Sequence, residues 1–190
     1  MKGTPLKQPR RVRKRGSFFA EAAYAESIFR TGLGDIGGAV SALQRALKLA
    51  PTYAPAILSL GSVEYQRGRR AEGQRLFHSL LSLPKSTPDL CEIIDEAGRF
   101  LIQMGAYGDG LALYGAAVDR WPAVAAFHQG RGCCAGHEGI HAEAIAASER
   151  ALPIEPGSQE LVNDLGWCLY EAGRLEEEEL PRVRSARVLR

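Results

Sequence analysis

Five glycines, Gly34, Gly68, Gly105, Gly139 and Gly173, divide this chain at intervals of 34, 37, 34 and 34 residues. A glycine that returns at a fixed interval marks a backbone need that returns with it, and a helix stopping in the left-handed conformation is a common such need. A small residue recurs seven places before each: Ser27, Gly61, Gly98, Gly132 and Gly166. Five places after it stand Ala39, Gly73, Gly110 and Ala144, then Glu178. Pro51, Pro122 and Pro156 close three of the units, and Pro84 closes the second one place early. Proline has no N–H to donate and disfavours helical backbone in the residue before it, so each unit reads as two helices around a glycine turn, ended by a proline. A period of this length points to stacked supersecondary units.

Apolar spacing agrees. Ala39, Leu43, Ala46 and Leu47 fall at steps of three and four, as do Leu76, Phe77 and Leu80. The predicted helices run over about 18–31, 36–49, 55–67, 70–83, 88–104, 107–120, 125–136, 141–154 and 159–172. For the fifth, Thr87, Pro88 and Asp89 suggest a cap, a first-turn proline and an acid at the positive helix end. Pro156, Gly157 and Ser158 read as a turn with its own cap.

The pairs Leu60-Gly61 and Leu165-Gly166, the aromatics Phe77 and Tyr114, and the series Ala46, Ala117, Ala151 resemble the tetratricopeptide repeat (TPR) family, a 34-residue helix–turn–helix. The resemblance covers roughly residues 20–175. It implies an all-α, right-handed α-solenoid of about four and a half hairpins, with the first helix of each pair on the concave surface. The first unit departs from the pattern at Glu26 and Arg30, and the fourth at His128, Arg131 and Ser148, so looser packing is expected in both. Glu178 and Pro181 leave only the first helix of the fifth unit credible, and that helix can cap the stack.

With 45% hydrophobic residues in 190, the chain can bury a continuous core. The formal charge of +2 conceals an uneven distribution. Residues 1–16 hold seven basic and no acidic side chains, whereas residues 17–173 hold 12 basic and 18 acidic ones. The expected organisation is a disordered basic arm (1–16), a TPR domain (17–175) and an acidic-then-basic tail (176–190). No apolar run approaches the ~20 residues of a membrane span. Glu21 and Glu26 interrupt the apolar stretch after the basic arm, which argues against a secretory signal. Four cysteines without framework spacing imply reduced thiols, and a cytoplasmic location is the expectation.

The resemblance also locates candidate binding residues. Tyr24, Leu58, Tyr65, Arg99, Ile102, Trp167 and Tyr170 fall on the concave face without serving the repeat packing, and aromatic anchors dominate binding hot spots. Chaperone-binding members grip a C-terminal carboxylate with basic and amide groups. Here the matching places hold Tyr24, Ile28, Ser59, Glu92 and Glu96, and two acids would repel that ligand. A protein or peptide partner with basic and apolar residues suits such a groove better. The implied role is a non-catalytic scaffold or adaptor that binds a partner's peptide or helix. The competing class is an adaptor using its basic arm on nucleic acid or an anionic membrane, with steep salt dependence. No aromatic among residues 1–16 supports base stacking, and self-association through the arm is a further use for it.

Cys133, Cys134, His137 and His141 have ligand chemistry, but the Gly139 turn separates His141, and Cys134 shares a repeat column with Cys168. Helix packing explains them better than zinc, so no metal or cofactor is expected. An enzyme built on Cys133 and His137 would need an unusually reactive thiol. The sequence shows no phosphate loop, nucleophile elbow or His-Glu-x-x-His motif.

Overall fold

In a computed structural model, which describes residues 10–174, all five period glycines adopt the left-handed conformation, with φ between +65° and +83°. A Cβ at these positions would be strained, so the turn fixes the residue type and the interval follows from it.

Nine helices lie among the described residues: α1 (Arg10–Gly32), α2 (Ile36–Leu49), α3 (Ala54–Gln66), α4 (Arg70–Leu80), α5 (Leu90–Gln103), α6 (Tyr107–Arg120), α7 (Ala125–His137), α8 (His141–Ala151) and α9 (Gln159–Glu171). No strand occurs among those residues, and the all-α repeat class expected from the sequence is the class found. The chain forms two compact units, Met1–Pro88 and Asp89–Arg190.

In the first unit α1 packs on α2, α2 on α3 and α3 on α4. Ala23, Val40, Leu43, Ala46, Ala56 and Leu60 form the core there. Helix α1 starts at Arg10, eight residues before the predicted Phe18, so it reaches into the stretch read as an arm. Residues 1–9 and 175–190, which carry most of the arm and tail readings, lie outside the described residues. Glu26 and Arg30, expected to loosen the first hairpin, pair with each other at 2.8 Å. Glu26 also pairs with Arg45, and Arg30 with Asp35 at 2.6 Å. The Asp35 carboxylate in turn accepts the Gly38 N–H at 2.8 Å and caps α2.

A charge that the repeat pattern gave no reason to expect is buried in α3. Glu64 is held by Arg67, one turn further along at the end of α3, at 3.8 Å, and by Arg69, which reaches back across the Gly68 turn.

In the second unit α5 packs on α6, α6 on α7, α7 on α8 and α8 on α9. Helices α5 and α7 also touch, as do α7 and α9, which sets the first helices of successive hairpins side by side. Tyr114 of α6 fills the space behind them. Its fully buried ring lies between Gly98 of α5 and Gly130 of α7, where a Cβ on either glycine would overlap the ring. The phenol donates to Asp95 Oδ1 at 2.9 Å. Burial, and then the carboxylate, hold its pKa well above the usual phenol range.

Three further predicted boundaries are corrected, one of them at the end of α8, which stops at Ala151 rather than at residue 154. Helix α5 begins at Leu90, not Pro88, with Asp89 in the left-handed region at φ 53° as its N-cap residue. The three-residue excess over the period is therefore loop, and α4 ends at Leu80 rather than Leu83. Asp tolerates left-handed backbone better than most residues. The fourth hairpin's polar residues find partners. His128 Nε2 donates to the Pro122 carbonyl at 2.9 Å, Arg131 pairs with Glu143 at 2.8 Å, and Ser148 Oγ lies 3.7 Å from Cys168 Sγ.

Candidate binding groove

The juxtaposition of α5, α7 and α9 leaves a cavity of ≈ 720 Å³ along their shared face, wholly within the second unit. Asp95, Arg99 and Ile102 line it from α5, and Gln129, Cys133 and His137 from α7. Helix α9 contributes Glu160, Asp164, Trp167, Cys168 and Glu171, and Tyr114 reaches the floor.

Four of the α9 residues stand at steps of four, three and four: Glu160, Asp164, Trp167 and Glu171. That spacing puts them in one row on a helix. The row follows a sharp start, because the Ser158 hydroxyl accepts the Leu161 N–H and caps α9. On its opposite side Leu161, Val162 and Leu165 are buried with Ile145 and Leu152 of the fourth hairpin. The apolar side fastens the helix, and the acidic row is what remains for the groove.

Charge in the groove is unbalanced. Asp95, Glu160, Asp164 and Glu171 face it, with Arg99 as the one arginine among the lining residues. Arg99 pairs with Asp95 at 3.1 Å, and Asp95 also receives the Tyr114 hydroxyl. Asp164 is half-buried and accepts the Gln129 side-chain N–H at 2.8 Å. Its pKa is raised by burial and by Glu160, against the lowering effect of the Gln129 hydrogen bond. A carboxylate with raised pKa in a recess is a site that a cation would relieve.

The structure distributes the candidate binding residues unevenly. Arg99, Ile102 and Trp167 line the groove together, and Trp167 is 57% exposed. Tyr170 sits beside it, with ring centres 5.5 Å apart. Tyr24 and Leu58 belong to the first unit. There Tyr24 packs edge-on to Tyr53 at 5.5 Å, against the hairpin core, and Leu58 is half-buried. Tyr65 departs from the expectation. Only 2% exposed, it packs beside Phe77 and against Gly73, under the Arg70 guanidinium, so it belongs to the core. Gly73 of the facing helix leaves room for it, whereas Ile102, at the same place in the next hairpin, lines the groove.

The reading from the repeat columns did not include Glu160 and Asp164. The signal for them was the four-residue ladder upstream of Trp167, which a search for aromatic anchors passes over.

The cysteine and histidine cluster does not converge. Cys134 is buried against Gly110, Cys133 and His137 are exposed, and His137 stacks on Tyr107 at 4.0 Å. Among the described residues no group of three or more His, Cys, Asp or Glu side chains could hold a metal ion. Burial first, then Asp164, raises the Cys133 pKa, and burial pushes Cys134 up to about 12. Raised thiol pKa values oppose the activation a nucleophilic cysteine needs.

Helical hairpins that align their first helices to form a grooved wall define an α-hairpin repeat protein. Residues 96–159 match the family model for the tetratricopeptide repeat, and the left-handed turn of that stretch returns at all five period glycines. Solved structures share the fold at low identity. A crystal structure of MamA is 18% identical with a TM-score of 0.57, covering 85% of this chain and 92% of that one. MamA from residue 41 on, of Desulfovibrio magneticus RS-1, is 15% identical with a TM-score of 0.59, covering 89% and 93%. YrrB, described as a TPR protein with an unusual peptide-binding site, is 18% identical with a TM-score of 0.56, covering 88% and 86%. No curated protein sequence matches the chain. Among the described residues no helix is long and apolar enough to cross a membrane.

Proposed function

We propose that this protein is a non-catalytic adaptor that binds a partner's peptide segment in the groove of α5, α7 and α9, and that the segment carries basic and apolar residues. The observation that carries the reading is the α9 row, in which Glu160, Asp164 and Glu171 flank the exposed Trp167. A guanidinium or ammonium group stacks on an indole face and pairs with the acids beside it, while Ile102 across the groove takes an apolar neighbour. A preformed wall of packed helices limits the entropy lost on binding. YrrB's peptide site and the usual scaffold role of tetratricopeptide repeats are consistent with this reading.

Selection from a random peptide library on the full chain tests it. The expected winners hold Arg or Lys next to an aliphatic or aromatic residue. Trp167→Ala, checked by circular dichroism for folding, should weaken them on the order of tenfold or more, as loss of an interface aromatic does. Enrichment of acidic or neutral polar peptides, or binding indifferent to Trp167→Ala, would refute it.

A further inference from the structure

Three carboxylates of α9, Glu160, Asp164 and Glu171, line the groove, and among the described residues none of them is paired with an arginine or lysine. Arg99, which also lines it, is taken by Asp95. A recess with this surplus of negative charge selects an occupant rich in cations.

The same unit supplies such a segment. Residues 182–190, RVRSARVLR, hold four arginines and no acid, interleaved with Val183, Val188 and Leu189. They are assigned to the second unit, as the groove is, and only residues 172–181 separate them from α9. The other acid-free basic stretch, residues 1–16, runs into α1 in the first unit. In an extended chain with three residues per turn, Arg184, Arg187 and Arg190 fall in one row about 9 Å apart. A chain leaving α9 and running back along it meets Glu171, Asp164 and Glu160 in that order, and a helix spaces these about 10 and 6 Å apart. Long arginine stems absorb the difference. Residues 175–183 extend to about 30 Å, well beyond the ~16 Å of the acidic row, so reach is ample.

We infer that residues 182–190 occupy the groove of their own chain, Arg184 on Glu171 and Arg187 on Asp164, and that an outside partner binds by displacing them. The inference rests on the groove being the basic-peptide site proposed above. A short tether holds its end at an effective concentration on the order of 1 mM, so a segment whose free peptide binds with a Kd of about 0.1 mM fills the groove about nine-tenths and weakens an outside ligand about tenfold.

The test compares the native full chain with a full-length variant carrying Arg182→Gln, Arg184→Gln, Arg187→Gln and Arg190→Gln, folding being checked by circular dichroism. A synthetic peptide of residues 181–190 should bind the variant at least tenfold more tightly than the native chain. Adding Asp164→Lys to the variant should abolish that binding. Contact within one chain is read by placing Ala186→Cys in each and linking it with a short bismaleimide to Cys133, which is exposed on the groove. The intramolecular link should form at least tenfold faster with the arginines present, and 500 mM sodium chloride should erase most of the advantage. If both chains bound the peptide equally and linked at equal rates, the groove would stand as a peptide site and the inference would fall, the arginines serving Glu176–Glu179 or nothing. Links that form between chains and rise with concentration would overturn it in favour of a second copy. If neither the peptide nor any library-selected basic sequence bound either chain, the groove reading itself would fail and take the inference with it.

Discussion

Two exposed helix faces, one in each unit, are built on opposite principles. On α1 the row Phe18, Ala22, Ala25, Phe29 is apolar and exposed. On α9 the row Glu160, Asp164, Trp167, Glu171 is acidic around a single indole and borders a cavity. The first can be covered only by a surface of matching shape, because it offers dispersion and burial but no charge to pair. The second demands a guest that brings positive charge, and it discriminates by sign before shape. Only the second face names the chemistry of its guest.

The largest effects should separate the two faces cleanly. Asp164→Lys should abolish binding of a basic peptide, at least a hundredfold in Kd by titration calorimetry. Phe29→Glu, on the other face, should leave that affinity unchanged. If Phe29→Glu weakened the peptide as well, the two faces would not act separately.

The groove floor gives the next largest effect. Gly130→Ala places a methyl group into the Tyr114 ring, which Gly98 already pins from the other side. Overpacking of this kind costs about 1–3 kcal/mol, partly offset by the ~1 kcal/mol that alanine gains over glycine in a helix. The urea midpoint should fall and peptide affinity with it. Gly115, on the same α6 as Tyr114, has nothing within 4 Å of a built Cβ. Gly115→Ala should therefore raise the midpoint, by up to about 1 kcal/mol. Two glycine substitutions of opposite sign would show that packing against Tyr114, and not helix propensity, sets the floor.

Salt should act more gently. From 50 to 500 mM sodium chloride, peptide affinity should drop several-fold as the α9 carboxylates are screened. An affinity indifferent to salt would mean that apolar contact, and not charge, holds the guest.

Much of this was legible in the sequence because the repeat turns left-handed at Gly34, Gly68, Gly105, Gly139 and Gly173, a requirement that one residue type meets without strain. Arg99, Ile102 and Trp167 were placed on the groove by the same register. Tyr65 was misjudged because a repeat column gives direction but not depth, and depth there depends on Gly73 in the facing helix. Asp164 escaped because its environment comes from Gln129, 35 residues away, and from the burial that α7 imposes. The start of α5 was misplaced because Thr87 and Pro88 imitate a cap, whereas the chain turns one residue later, at Asp89.

The smallest effect is a dependence on pH confined to the α9 face. Asp164 has a raised pKa in the free protein, so its folded form binds more protons than the unfolded chain. Its contribution to stability is therefore full below its unfolded pKa and is lost as pH rises through the folded value. A guanidinium beside it favours the charged form and lowers the pKa in the complex, so binding an arginine peptide expels a proton below the free protein's value. Affinity should accordingly climb a few-fold as pH rises from the ordinary carboxylate range through the raised pKa of Asp164, then level off. Glu160 shares the recess and strengthens the effect, while the Gln129 hydrogen bond works against it. Asp164→Asn should flatten most of the rise. Calorimetry in buffers of different ionisation enthalpy measures the proton release directly. If release persisted undiminished in Asp164→Asn, the proton would come from another carboxylate, and α9 would meet its guest with Glu160 or Glu171 instead.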